Sequence, residues 1–186
     1  MEIIEWVAVI SGVLAVYLLY MNNVLTWPVG FVNIFCFLWT FWNTQLYGDF
    51  AVNVMFLIVG IWGWINWNRR SDKLPGILSG KQRIIIGIAT LVSIPLTMYY
   101  LENYTKCSYP LLEAAILSLS ITGQWLTAKR KLENWILWIA ADILMVIVYA
   151  LKGLELYSAY AFIILIIGCT GLYQWNKTIK LAGNPT

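Results

Sequence analysis

The chain has 186 residues, 61% hydrophobic and only 11% charged, with a net charge of +3 and a mean hydropathy of +0.73. That is too little polar surface to coat a water-soluble globule of this size, so lipid must be the solvent for most of the chain. The sequence has no histidine and no C-x-x-C pair, which excludes most zinc, haem and histidine-dependent catalytic chemistry, and no metal or cofactor is expected.

A membrane-spanning helix needs about 20 mostly apolar residues. Seven runs qualify in chain order: Ile3–Tyr20, Trp27–Asn43, Phe50–Trp67, Ile84–Leu101, Leu111–Thr127, Trp135–Leu151 and Leu154–Trp175. The opening MEIIEWVAVISG lacks the basic stretch of a cleavable signal and reads as a first helix. Met21–Thr26 and Thr44–Asp49 read as tight hairpins, and Asn68–Arg83, with Pro75, Gly76 and Gly80, as the longest connection. Cys36 and Cys169 fall inside apolar runs and read as packing residues.

Of the 12 basic residues, only Lys106 and Lys152 fall on the side that holds the N-terminus; the others cluster at Arg69–Arg83, at Lys129, Arg130 and Lys131, and at Lys177 and Lys180. The positive-inside rule then puts the C-terminus in the cytoplasm and the N-terminus outside, in a multi-pass protein of the plasma (inner) membrane. Basic residues in short clusters between apolar runs do not make a nucleic-acid stripe.

A shift of 108 residues lays the chain on itself: Glu5 on Glu113, Trp27 on Trp135, Gly60 and Gly63 on Gly168 and Gly171, and Trp67-Asn68 on Trp175-Asn176, with a gap expected between helices 1 and 2. Internal repeats of this kind are common in transporters. Three helices are an odd number, so a fourth, unmatched crossing is needed to give the second copy the orientation of the first. The expected fold is all-α, seven transmembrane helices in 3+1+3 parallel repeats: residues 1–68 as the first repeat, 69–109 as a linker with helix 4, 110–177 as the second repeat and 178–186 as a cytoplasmic tail.

An ionisable side chain within a span is expensive, by about 2.5–3.5 kcal/mol or more, and usually faces a cavity or a partner. Asp142 is the one acid well inside a run. Trp135, Trp138 and Asp142 are spaced i, i+3, i+7 and share a helix face. Two indoles and a carboxylate suit a flat cationic ring, through stacking, cation–π attraction and charge. The plainer reading makes Asp142 a hydrogen-bonding bridge between helices and the tryptophans interfacial anchors. Asn33, Asn53 and Gln124 are buried-amide candidates for substrate contact. Glu5 and Glu113 open equivalent helices, where a carboxylate is favoured by the helix dipole. The glycine pairs permit close helix contact. The segment Gly76–Gln82 looks faintly like a phosphate loop, but it is one residue short and lacks the Ser or Thr, so ATP hydrolysis is rejected.

Trp27-Pro28-Val29-Gly30, Leu46-Tyr47-Gly48-Asp49, Gly63-Trp64-Ile65-Asn66-Trp67 and Glu133-Asn134-Trp135-Ile136-Leu137-Trp138 together resemble the PnuC family of vitamin transporters. The most specific match is W-x-x-W-x-x-x-N/D, carried here by Trp135, Trp138 and Asp142, which the family associates with its substrate site. The resemblance implies facilitated diffusion of nicotinamide riboside, or of thiamine as in some relatives. It also implies a 3+1+3 arrangement like that of SWEET transporters, a homotrimer, and a cytoplasmic kinase that traps the product. Two positions depart from the family pattern: Asp142 stands where many nicotinamide riboside carriers have Asn, and Val52-Asn53 where many have Leu-Gln. The expectation is therefore a carrier, not an enzyme, with a vitamin and the bilayer as its partners. A thiamine carrier is the alternative of the same class, and a non-transporting receptor or scaffold the alternative of another.

Overall fold

The structure, a computed structural model, describes residues 3–44, 47–69, 73–105 and 107–183. These residues form seven α-helices: α1 (Ile3–Tyr20), α2 (Thr26–Asn43), α3 (Tyr47–Asn68), α4 (Gly80–Tyr104), α5 (Pro110–Ala128), α6 (Glu133–Leu151) and α7 (Glu155–Ala182). Each expected run has its helix. Arg70, Lys106 and Leu46 of the Leu46-Tyr47-Gly48-Asp49 motif lie outside the described residues.

Helices are what lipid demands, because every backbone N–H and C=O must find its partner within the segment. Hydroxyls in the spans follow the same rule: Thr40, Thr127 and Ser11 each donate to a carbonyl one turn back. Six helices are long and apolar enough to cross a membrane. The exception is α2, which Pro28, Asn33, Asn43 and its tryptophans make less apolar, although it carries no charged residue.

Two helices run further than expected. α4 starts at Gly80, because Ser79 and Gln82 form a reciprocal capping box: the Gln82 N–H donates to Ser79 Oγ at 3.3 Å and the Ser79 N–H to Gln82 Oε1 at 3.0 Å. The stretch that faintly resembled a phosphate loop is thus a helix cap. α7 continues past Trp175 to Ala182, so residues 178–182 of the expected tail are helical.

The helix contacts make a ring. α2 packs against both α1 and α3, α6 packs against both α5 and α7, and α3–α5 and α7–α1 contacts close the circle. Among the described residues α4 stands outside it, packed along α5, where the Thr90 and Thr122 hydroxyls hydrogen-bond at 3.1 Å. Its exposed Ile84, Ile88, Leu91, Val92 and Leu96 are a surface suited to lipid.

At the end of the ring rich in basic residues, the connections lock together. The Gly76 N–H donates to the Arg130 carbonyl and the Leu132 N–H to the Gly76 carbonyl, at 2.9 and 2.8 Å. Glu133 accepts from the Leu78 N–H and pairs with Arg83 at 2.8 Å. The turns after α1 and α5 place Asn22 and Arg130 in the left-handed region, at φ 54° and 51°. They are 108 residues apart.

Just inside that end lies the core, built on Trp27, Trp67, Trp135 and Trp175. Trp27 meets Trp67 edge to face with ring centres 5.6 Å apart and planes at 88°; Trp135 meets Trp175 at 5.6 Å and 86°. Trp67 and Trp175 join the two pairs at 6.3 Å. These are favourable aromatic geometries. The glycines make room for the rings. A Cβ on Gly63 would sit 2.5 Å from the Trp27 ring, and one on Gly171 would sit 2.6 Å from that of Trp135. Wedged indoles cannot retreat, so Gly171→Ala should destabilise the protein by about 1–3 kcal/mol, the usual cost of overpacking. Thermal unfolding in detergent checks this, and an unchanged midpoint would mean that the ring has room to move.

Candidate functional site

Asp142 sits in the middle of α6, 3% exposed. Its Oδ2 is buried and has no hydrogen-bond partner among the described residues. A buried polar atom left unpartnered calls for an explanation, the more so for a carboxylate in an apolar span. Gly168 on α7 faces it: a Cβ there would stand 3.9 Å from Oδ2 and 3.3 Å from Ile139 Cγ1. Tyr160, two turns earlier on the same face of α7, lies within electrostatic reach of the carboxylate.

Trp138 lies one turn before Asp142, half-buried, with its indole over Gly123 of α5. Its Nε1 donates to Thr127 Oγ1 at 3.1 Å, which fixes the plane of the ring. Trp135 shares the helix face but not the surroundings. It is 1% exposed, locked against Trp175 and Gly171 in the tryptophan core. The face predicted from spacing therefore divides, with Asp142 and Trp138 at mid-helix and Trp135 in the packing layer.

The amides are dispersed. Asn33 reaches across from α2 and donates to the Ala8 carbonyl of α1 at 2.7 Å; it borders Gly12, beside the Tyr160 hydroxyl. Asn33 thus belongs to the Asp142 neighbourhood through Tyr160. Gln124 points instead toward α3, its Nε2 3.5 Å from the Phe56 carbonyl. Asn53 is half-buried on α3.

A narrow cleft of about 50 Å³ leads in from the end away from the basic loops, between α1, α2 and α7, lined by Glu5, Ala8, Phe37, Thr40, Tyr157 and Tyr160. It has room for a water or two. A vitamin would need the helices to part. Tyr160, at the junction of cleft and carboxylate, escaped the sequence reading. The available signal was its spacing from Gly168 and Gly171, i, i+8, i+11, which puts all three on one face of α7. Glu5 and Glu113 both lie in first helical turns as expected, and each has a partner as well: Glu5 is 3.5 Å from the Tyr157 hydroxyl and Glu113 pairs with Lys152.

The carboxylate faces α7, the oriented indole lies over α5, and the phenol and the amide meet at Gly12 of α1; these are groups of the kind that hold a flat cation with hydroxyl groups. Comparison with known proteins points to a membrane transporter. The PnuC nicotinamide riboside transporter of Escherichia coli K12 is 23% identical over 97% of this chain and 88% of its own length. The riboflavin/roseoflavin transporter RibM of Streptomyces davaonensis is 24% identical over 92% and 83%. The crystal structure of the vitamin B3 transporter PnuC, 20% identical, superposes with a TM-score of 0.79 over 95% of this chain and 82% of that one, a likeness of fold. Residues 2–177 match the model of one family. The PnuC resemblance expected from the sequence is borne out: the chain belongs to the nicotinamide mononucleotide transporter family, multi-pass membrane carriers rather than enzymes.

Proposed function

We propose that this chain carries nicotinamide riboside, or a close relative with a flat cationic ring, across the membrane by facilitated diffusion. The observation that carries the reading is Asp142, a buried carboxylate with one oxygen unpartnered in the middle of a span. A permanently charged pyridinium supplies the missing partner, and the face of Trp138 offers it stacking and cation–π attraction. The Tyr160 hydroxyl and the Asn33 amide, which meet at Gly12, would serve the ribose hydroxyls. Trp135 contributes from behind, by holding α6 against α7. Asn53 on α3 and Gln124 on α5, whose amide reaches the Phe56 carbonyl of α3, stand at the contact between the two bundles and would act when that contact changes.

The reading includes two parallel three-helix repeats, 1–68 and 110–177, joined through α4 in a 3+1+3, SWEET-like arrangement. Several equivalences at the shift of 108 support it. The two tryptophan pairs have the same geometry. The Trp67 indole donates to the Ala128 carbonyl and the Trp175 indole to that of Tyr20, both at 3.2 Å. α3 starts at Tyr47 and α7 at Glu155. Rocking of one bundle against the other would expose the site to each side in turn. The basic end faces the cytoplasm in this reading, with the N-terminus outside. Assembly as a homotrimer and trapping of the carried vitamin by a cytoplasmic kinase complete it, both drawn from the family resemblance.

Titration calorimetry of the purified protein with nicotinamide riboside, thiamine and riboflavin tests the substrate. Heat of binding from nicotinamide riboside and little from the others is the expected result. Thiamine or riboflavin binding more tightly would reassign the cargo, and no binding of any of the three would favour a receptor or scaffold.

A further inference from the structure

The ring has two seams between its halves, α3–α5 and α7–α1, and they are not built alike. The α3–α5 seam is stitched. Trp67 Nε1 donates to the Thr127 and Ala128 carbonyls at 3.2 Å, and Asn66 Nδ2 to the Ala128 carbonyl at 3.1 Å. Beyond the helix ends, Arg130 donates to the Lys73 carbonyl at 2.8 Å and lays its guanidinium 4.1 Å over the Trp67 ring, beside the Gly76–Lys131 bridge. The α1–α7 seam is hollow at both ends. The narrow cleft toward Tyr160 enters along it from one side. From the basic side a hollow of about 380 Å³ enters, lined by Tyr20, Met21, Asn22, Gln174, Trp175 and Thr178.

We infer that the two seams have different jobs: α3–α5 is the hinge, and α1–α7 is the seam that opens, with the basic-end hollow as a second binding station for the carried molecule. The inference rests on the transport reading given above. The hollow falls within the usual 300–1,000 Å³ of small-molecule pockets. Its lining mixes the amides of Asn22 and Gln174, the Thr178 hydroxyl and two aromatics with the apolar Met21, Leu74 and Pro75, and Asn22 Oδ1 is buried there without a partner among the described residues. A station without charged groups suits a leaving cargo, since conduction requires sites that hold weakly enough to release. Trp175 is its wall on one side and a member of the tryptophan layer on the other. The path from Asp142 to the basic end therefore needs the Trp135–Trp175 pair to part from α1, while the Trp27–Trp67 pair stays with the hinge. The hydrogen bond that crosses the seam in this layer, Trp175 Nε1 to the Tyr20 carbonyl, is a contact that would break.

Crosslinking separates the seams. In a background with Cys36, Cys107 and Cys169 changed to Ser, Met21→Cys with Thr178→Cys bridges α1 to α7, and Asn66→Cys with Ala128→Cys bridges α3 to α5. Each pair is closed with a short bifunctional thiosulfonate, and counterflow of nicotinamide riboside in proteoliposomes is compared with the reduced form of the same variant. Closing α1–α7 should cut flux by about tenfold or more, and closing α3–α5 should change it by less than roughly twofold, as gating through one seam requires. Equal loss, equal persistence or the reverse order would overturn the inference while leaving transport intact. No flux in the cysteine-free parent would overturn the transport reading, and this one with it. A second measurement needs no crosslink: labelling of Gln174→Cys by a membrane-impermeant maleimide should slow in the presence of nicotinamide riboside, and an unchanged rate would remove the second station.

Discussion

Asp142→Ala should weaken the binding of nicotinamide riboside by roughly tenfold to a hundredfold, since a hydrogen bond to a charged group contributes about 1.5–3 kcal/mol and each 1.4 kcal/mol is a factor of ten. The carboxylate is 3% exposed and has an unpartnered oxygen, so little water is available to replace it in screening or in solvating the cargo. Asp142→Asn should lose less, because the amide keeps the shape and one acceptor; many nicotinamide riboside carriers have Asn at this place in the family motif. Glu5 is the control. It lies at the mouth of the cleft in a first helical turn, and Glu5→Ala should change affinity far less than Asp142→Ala. Calorimetry on the three variants decides the matter; equal losses for Glu5→Ala and Asp142→Ala would take Asp142 out of the site.

The largest expected effect on stability is at Trp67. Its side chain is fully buried, its Nε1 donates to two carbonyls of α5, it meets Trp27 and Trp175, and Arg130 covers its ring. Trp67→Ala removes all of these at once and leaves a cavity beside Trp27, at a cost of about 3–5 kcal/mol. It also leaves the Arg130 guanidinium without its aromatic partner at the hinge. Thermal unfolding in detergent should show the midpoint falling well below that of Trp125→Ala, whose ring is partly exposed and covered by Lys129 alone. Equal midpoints would mean that the tryptophan layer does not hold the two halves together.

The helices could be read from the sequence because lipid leaves a chain few choices. Long apolar runs must be helical, and Ile3–Tyr20 came out with both ends as expected. Ends fixed by polar side chains were harder. The Ser79–Gln82 cap moved the start of α4 into what composition marked as loop, and the amphipathic turns after Trp175 extended α7. Asp142 stood out because an acid in an apolar run is rare, and Trp138 followed from its spacing. Trp135 was harder to judge. Spacing assigns a face but not its neighbours, and the groups that enclose Trp135, Gly171 and Trp175, come from the next helix, 36 and 40 residues further along the chain. Tyr160 was missed for a related reason: a tyrosine is unremarkable in a membrane helix, and only the packing of α7 on α1 and α6 brings its hydroxyl to Gly12 and near Asp142. The tryptophans at positions 27, 67, 135 and 175 were visible as a repeat, but their joining into one layer belongs to the tertiary fold.

Radiolabelled nicotinamide riboside counterflow, in proteoliposomes holding the intact chain or its Asp142→Ala variant, is the most direct trial of a carrier built around one buried carboxylate. Saturable exchange by the intact chain, competed by unlabelled substrate and lost in the variant, is the predicted result. Exchange that survives in a folded Asp142→Ala protein at unchanged half-saturation would contradict the account.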